Sequence, residues 1–310
     1  MSEGVEALIV GPGAMGCLHA ALLAQAGVRV GLLDHRPERA ARIAERGVIL
    51  EREDGQLTVP VRCSAEPTDF HPAGLAIMLV KAYDTETAMR HALPALADDA
   101  SVLTLQNGLG NYERIAQQVP PHRVLAGTTT TGATLLGEGH VREAGRGFAQ
   151  VGSPAGASHR VRQVVALLLR GGIDCRAATS IDEVLWAKAI VNAAINPLTA
   201  LTGLRNGRLV ELPELLAALR AVADEAGNVA RMTGVFMRED IGEFAAQICR
   251  QTAQNRSSML QDVLAGRRTE IDFINGEIAR RGEQRGVPVP LCTLLTALVH
   301  GLEAREEVDA

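Results

Sequence analysis

Aromatic residues are scarce, at 3% of a 310-residue chain. A core must therefore be built from Ala, Leu, Val and Ile. Cysteine is sparse as well. Cys17, Cys63, Cys175, Cys249 and Cys292 are odd in number, far apart, and form no CxxC pair or metal-ligand cluster. That speaks against a disulfide framework and a structural metal, and fits a reduced, cytoplasmic protein. No uninterrupted apolar run approaches ~18 residues, so no membrane span is expected. The opening MSEGVE lacks a signal-peptide layout. Net charge is −5 and arginine is spread without a dense basic stripe, which argues against nucleic acid as the main partner. What remains is ordinary globular composition, 47% hydrophobic and 22% charged. The length suits two domains of roughly 100–200 residues each.

The first half alternates strands with helices. VEALIV (5–10) is followed by GPGAMG (11–16) and the helical pattern CLHAALLAQAG. This is the strand, Gly-rich turn and helix that dinucleotide binding requires. Gly11 permits the tight turn, Gly13 the approach of a pyrophosphate, and Gly16 close packing of helix on strand. Pro12, Ala14 and Met15 complete the loop, and the helix N-terminus offers amides to phosphates. A second strand, VRVGLL (28–33), ends at Asp34, where an acid would grip the ribose hydroxyls of NAD. His35, Arg36 and Arg39 follow at once; they could hold the 2′-phosphate of NADP, or form a solvated first helical turn. The acid and the cations conflict.

RPERAARIAERG (36–47) reads as a helix ended by Gly47, and short strands flank the turn at Asp54-Gly55. GLAIMLV (74–80) reads as a central parallel strand ending in Lys81, at the edge where such sheets bind ligands. A helix is expected from near Asp84, an N-cap residue type. SVLTLQ (101–106) ends in Asn107-Gly108, either a polar group at a strand's carboxyl end or a plain turn. Segment 124–135 reads as one strand and 139–153 as a hairpin extending the sheet, followed by a helix over 158–170 and a short strand near CRAAT. The fold class is α/β: a Rossmann-type, doubly wound parallel sheet over 1–179, then an all-helical domain over 180–310.

That second domain reads as helices at 181–202, 208–233, 239–264, 269–286 and near 291–304. In LWAKAIVNAAINPLTA, Lys188, Asn192 and Asn196 stack on one helical face. The rest of the helix suits burial, and unpaired buried polar groups cost roughly 1–3 kcal/mol each. A bound polar ligand would supply partners; a surface lysine is the plainer account of Lys188 alone. Trp186 reads as a packing residue. Pro197 should end or kink the helix and free carbonyls beside Asn196. Asn206-Gly207 lies in the next loop. Ser257 and Ser258 interrupt a helical pattern, Gly266 breaks it, and Thr269 can cap the following helix. Glu270 then sits in a first turn, where the helix dipole alone could account for it. The acidic end, EAREEVDA, is expected to fray.

Taken together, VKAY (80–83), QNGLG (106–110), GTTTTGA (127–133), LWAKAIVNAAINPLTAL (185–201), NRSSMLQD (255–262) and TEIDFING (269–276), with GPGAMG, resemble the ketopantoate reductase (2-dehydropantoate 2-reductase) family over essentially the whole chain. The resemblance implies reduction of ketopantoate to (R)-pantoate with NADPH, on the route to pantothenate and coenzyme A. It implies Lys188 as general acid, Glu270 as a substrate contact in the same site, and Asn107, Asn192, Asn196, Asn206 and Ser258 as substrate-holding residues. The cofactor would rest on Gly11, Pro12, Gly13, Ala14, Met15 and Gly16, with Asp34, His35, Arg36, Lys81 and Asn107 around it. One departure stands out: family members usually carry a basic residue where this chain has Asp34, which keeps NADH as the alternative to NADPH. Other functions in view are a reductase of another branched 2-oxo acid and a non-catalytic dinucleotide sensor. The expected partner is a small 2-oxo acid, not nucleic acid or membrane, and a helical second domain could support a homodimer.

Overall fold

The computed structural model describes residues 4–238 and 240–305. The expected helix start at 239 and the fraying of 306–310 lie outside the described residues. The chain divides into two compact units, Met1–Gln106 with Asn111–Ile181, and Asn107–Gly110 with Asp182–Ala310.

Among its described residues the first unit holds twelve strands and five α-helices. The strands are β1 (Ala7–Val10), β2 (Val30–Leu33), β3 (Val48–Arg52), β4 (Gly55–Val59), β5 (Arg62–Ser64), β6 (Ala73–Met78), β7 (Leu96–Thr104), β8 (Val124–Thr129), β9 (Gly132–Gly137), β10 (His140–Gly145), β11 (Ala149–Gly152) and β12 (Cys175–Ala177). The helices are α1 (Ala14–Gln25), α2 (Pro37–Arg46), α3 (Thr85–Ala92), α4 (Asn111–Ala116) and α5 (Ser158–Arg170). The main sheet runs β12-β11-β8-β7-β6-β1-β2-β5, parallel except where β11 meets β8. Side chains alternate between its faces. Ala7 and Ile9 of β1 pack with Leu18 of α1 and Leu168 of α5; Leu8 and Val10 pack with Met89 of α3 and Ile115 of α4. Burial on both faces explains why β1 and β6 read as unbroken apolar runs.

Two expectations fail here. Segment 124–135 is not one strand but β8 and β9, and 139–153 is not a hairpin. β9 and β10 leave the main sheet and join β3 and β4 in a second one, β4-β3-β10-β9, while β11 returns to the first. The cause is a non-local pairing: β10 runs parallel to β3, with His140 opposite Ile49. Val48, Leu50 and Val141 of this small sheet share a core with Cys17 and Ala21 of α1.

The second unit consists of α6 (Ile181–Thr202), α7 (Arg208–Glu211), α8 (Pro213–Met232), α9 (Ile241–Gln251), α10 (Ser258–Leu264), α11 (Asn275–Gln284) and α12 (Pro290–Glu303). No strand lies in this unit among its described residues. Its core joins Trp186, Ile190 and Ile195 of α6 to Leu219, Val222 and Val229 of α8 and to Ile278 and Val299. By length and composition α6 could cross a membrane, which amends the expectation that no segment could. Yet 67% of its most apolar window is buried inside the protein, as in a core helix. Pro197 does not end α6, which runs on to Thr202. The single helices expected at 208–233 and 239–264 are each broken. Pro213 opens α8 at its first turn. Ser257 starts α10, its Oγ accepting from the Leu260 amide at 3.1 Å.

Gly16 is the tightest joint of the first unit. A Cβ there would lie 1.8 Å from the Gly11 carbonyl oxygen, whereas one on Gly13 would meet nothing within 4 Å. Gly16→Ala should therefore cost about 1–3 kcal/mol by overpacking, and Gly13→Ala no more than about 0.5 kcal/mol. Urea unfolding of both variants checks this; equal midpoints would contradict it.

Candidate active site

β1, β2 and β6 end level with one another, because Val10 is registered with both Leu33 and Met78. The residues that follow, Gly11, Asp34 and Leu79 onward to Lys81, therefore emerge at one sheet edge. β1 also lies between strands leading away in opposite directions, β2 and β6. That is the switch point at which open α/β sheets bind ligands. Gly11 has φ +104, and a Cβ on it would strike Val80 at 2.6 Å. Pro12 is buried, while Gly13, Ala14 and Met15 are partly open. α1 has neither a side-chain cap nor an acid in its first turn. Its leading amides and the free space over Gly13 suit a pyrophosphate, so the loop fits a dinucleotide on its own geometry. Lys81 is half-buried. The loop carrying it is held from behind, where Gln106 Nε2 donates to the Val80 carbonyl at 3.0 Å and to Thr85 Oγ1 at 2.8 Å.

Asp34 does not present a free carboxylate. Arg39 Nε donates to its Oδ2 at 2.5 Å and Arg39 Nη2 to its Oδ1 at 2.6 Å; the Arg36 amide adds a third bond at 3.1 Å. Burial alone would raise its pKa, but these bonds outweigh burial and leave it below the usual carboxylate value. Arg36 and His35 are exposed.

In the helical unit, Lys188 is half-buried on α6. Desolvation pulls its ammonium down to about 8, against the opposing pull of the Glu270 charge. Glu270 is itself buried, in the turn before α11. Asn107 Nδ2 donates to its Oε2 at 3.4 Å. This contact exists because QNGLG docks on that turn: the Leu109 amide donates to the Phe273 carbonyl at 2.9 Å. Gly108, at φ +81, leaves no room for a Cβ, which would lie 2.3 Å from the same carbonyl oxygen. Asn107, Glu270 and Lys188 thus form one cluster.

The other carboxamides divide. Asn192 is half-buried and Asn196 buried on the same face of α6. Asn196 Nδ2 has no partner. Asn206 is held by its amide to the Asn255 carbonyl at 3.0 Å and by Nδ2 to Thr252 Oγ1 at 2.9 Å, yet its buried Oδ1 is unpaired. Thr252 Oγ1 spends its own proton on the Ile248 carbonyl, so it can only accept from Asn206, which fixes the carboxamide's orientation. Ser258 is exposed and bonds to none of these residues. Its neighbour Ser257 accepts from Thr199 Oγ1 at 2.6 Å, which ties α10 to α6 one turn beyond Asn196. All five cysteines are free and buried, and burial pushes Cys17 and Cys63 up to about 12, so thiol chemistry is disfavoured.

Sequence reasoning missed one supporting residue. Pro197 has no amide to give the carbonyl four residues back, that of Ala193. Asn275 Nδ2 fills the gap, donating to Ala193 O at 3.1 Å. The side chain that repairs the proline lies five residues after Glu270, so the helix bearing Lys188 and the turn bearing Glu270 are fastened together. The proline was the available signal; its partner could not be read from spacing.

The ketopantoate reductase PanE/ApbA family model matches residues 7–156, and its C-terminal counterpart matches 180–303. The chain belongs to the ketopantoate reductase family. A 2-dehydropantoate 2-reductase of Archaeoglobus fulgidus is 40% identical over 96% of this chain and 97% of its own. The crystal structure of a PanE/ApbA family ketopantoate reductase from Ralstonia eutropha superposes with a TM-score of 0.87 at 36% identity, covering 96% of this chain and 98% of its own. D-mandelate dehydrogenase, solved with NADH and anilino(oxo)acetate, superposes with a TM-score of 0.90 at 27% identity and the same coverage. As a ketopantoate reductase family member, the chain is an oxidoreductase with a Rossmann-type domain and a helical C-terminal domain.

Asn275→Ala should cost about 1–3 kcal/mol by orphaning the Ala193 carbonyl. In a Pro197→Ala background the new amide satisfies that carbonyl, and the cost should shrink. A double-mutant unfolding cycle checks this; additive effects would contradict the tie.

Proposed function

We propose that the protein reduces the 2-oxo group of ketopantoate to (R)-pantoate with NADPH, a step toward pantothenate and coenzyme A. The observation that carries this reading is the desolvated Lys188, poised at about 8 opposite the buried Glu270. A general acid works best with a pKa near the operating pH. At pH 7 an amine with this value is about nine-tenths protonated.

Gly11–Gly16 would hold the pyrophosphate of a dinucleotide, whose dihydronicotinamide would supply the hydride. The chain's own residues do the rest. Lys188 Nζ stabilises negative charge growing on the carbonyl oxygen, then gives it a proton. The Glu270 charge favours the charged form of Lys188 against burial, and Asn107 donates to Glu270. Asn192, Asn196 and Ser258 take the substrate's acceptor oxygens. Asn206 favours ketopantoate in particular: its unpaired Oδ1 needs a donor. A carboxylate and a ketone only accept, while the ketopantoate hydroxyl donates. Arg36, and the pairing of Arg39 with Asp34, support NADPH.

The likeness to D-mandelate dehydrogenase favours a second reading, an aryl 2-oxo acid with NADH. Such a substrate leaves Asn206 Oδ1 unanswered. Initial rates with ketopantoate and 2-oxo-2-phenylacetate separate the two. We expect kcat/KM to favour ketopantoate by at least about 100-fold, since a site built to bond a hydroxyl rejects analogues lacking it. Asn206→Ala should narrow that ratio, and Lys188→Ala should lower kcat by roughly 10²–10⁴. Preference for the aryl acid would overturn the substrate, and dinucleotide binding without turnover of any 2-oxo acid would point to a sensor.

A further inference from the structure

An acid closing the second strand of a dinucleotide fold ordinarily grips the ribose diol and repels a 2′-phosphate. Asp34 occupies that position but cannot do this as it stands. Its carboxylate is 0% exposed, while the Arg39 side chain over it is 19% exposed. Both oxygens are engaged in a charge-assisted pair, and Oδ1 also accepts from the Arg36 amide. A ribose hydroxyl would have to displace a bidentate guanidinium, leaving a buried charge uncompensated.

We propose that Arg39 masks Asp34, and that this internal pair converts an NAD-type acid into a site for a dinucleotide with a 2′-phosphate, with Arg36 and Arg39 as its specificity residues. The inference rests on the dinucleotide-binding reading of the first unit. Pairing supports it. Asp34 and Arg39 neutralise one another, so the cation left next to Asp34 in the chain is Arg36, which is exposed with no side-chain partner among the described residues; Glu38, in the first turn of α2, is exposed as well. His35 Nδ1 lies 3.6 Å from Asp34 and is largely in solvent. On Arg39, Nε and Nη2 are taken by Asp34, and no described residue accepts from Nη1. The nearby Glu138 is itself paired with Arg42. The pairing also accounts for the departure at Asp34: the basic residue comes from the first turn of α2 rather than from the end of β2.

The two roles of Asp34 predict opposite results in direct binding. Full-length protein is titrated with NADPH and with NADH by nicotinamide fluorescence, with no 2-oxo acid present, so the result does not depend on the substrate. Arg36→Ala, at an exposed position, should weaken NADPH by at least about tenfold, the worth of a charged hydrogen bond, and leave NADH within about twofold. Arg39→Gln unmasks the acid, so the NADPH:NADH affinity ratio should fall by more than about tenfold, with NADH held or tightened. Asp34→Asn should leave NADH affinity unchanged. Thermal melts identify any variant that fails to fold; Arg36→Ala and Asp34→Asn decide the matter if Arg39→Gln does. The proposal is overturned if Asp34→Asn weakens NADH by tenfold, if Arg36→Ala weakens both cofactors equally, or if no folded variant changes the NADPH:NADH preference. Binding of neither dinucleotide by the wild type would instead sink the cofactor reading itself.

Discussion

A single constraint organises the helical unit: a half-buried ammonium group on a core helix is set against a buried carboxylate. Burial pulls the Lys188 pKa down to about 8, and the charge of Glu270 opposes that. Glu270 must then be buried and fixed in turn. The Thr269 amide donates to Glu303 at 2.7 Å, and Thr269 Oγ1 accepts from the Ile271 amide at 3.3 Å, pinning the turn on both sides of the acid. Asn107 reaches Glu270 because Gly108 lets its loop lie on the Phe273 carbonyl. Asn275 fastens the same turn to α6 at the carbonyl that Pro197 vacates. Asn196 and Asn206 still carry unmatched polar atoms, and such groups are costly without a ligand.

In the first unit the governing constraint is steric. Gly11 and Gly16 are required by the close approach of turn, strand and helix, whereas a Cβ on Gly13 would meet nothing within 4 Å. The two tight glycines thus form the joint, and the third leaves room for a guest. Asp34 shows the limit of a motif reading: a residue type at the right position does something else once a neighbour has claimed it.

Much of this was legible in the sequence. The strand–turn–helix at 5–25, the helix at 158–170 and the helix at 181–202 follow from apolar periodicity and glycine placement. The polar stripe of Lys188, Asn192 and Asn196 was visible because it broke an apolar pattern. Other features stayed hidden for physical reasons. The small sheet depends on β3 finding β10 far along the chain, and short strands do not encode their partners. The break between α9 and α10 contains neither glycine nor proline, so Ser257 looked like a residue inside a helix rather than its cap. The Asp34–Arg39 pair and the Asn275–Ala193 bond are tertiary matches between side chains that no periodicity announces.

The central claim is that Lys188 is a desolvated amine sustained by Glu270. The direct measurement is a pH titration of the Lys188 side-chain resonance by heteronuclear NMR, in wild type and in Glu270→Gln. The account predicts a midpoint near about 8 in the wild type and a lower one in the variant, because the opposing charge is gone. A midpoint at the ordinary lysine value of 10.5, unmoved by the substitution, would contradict it.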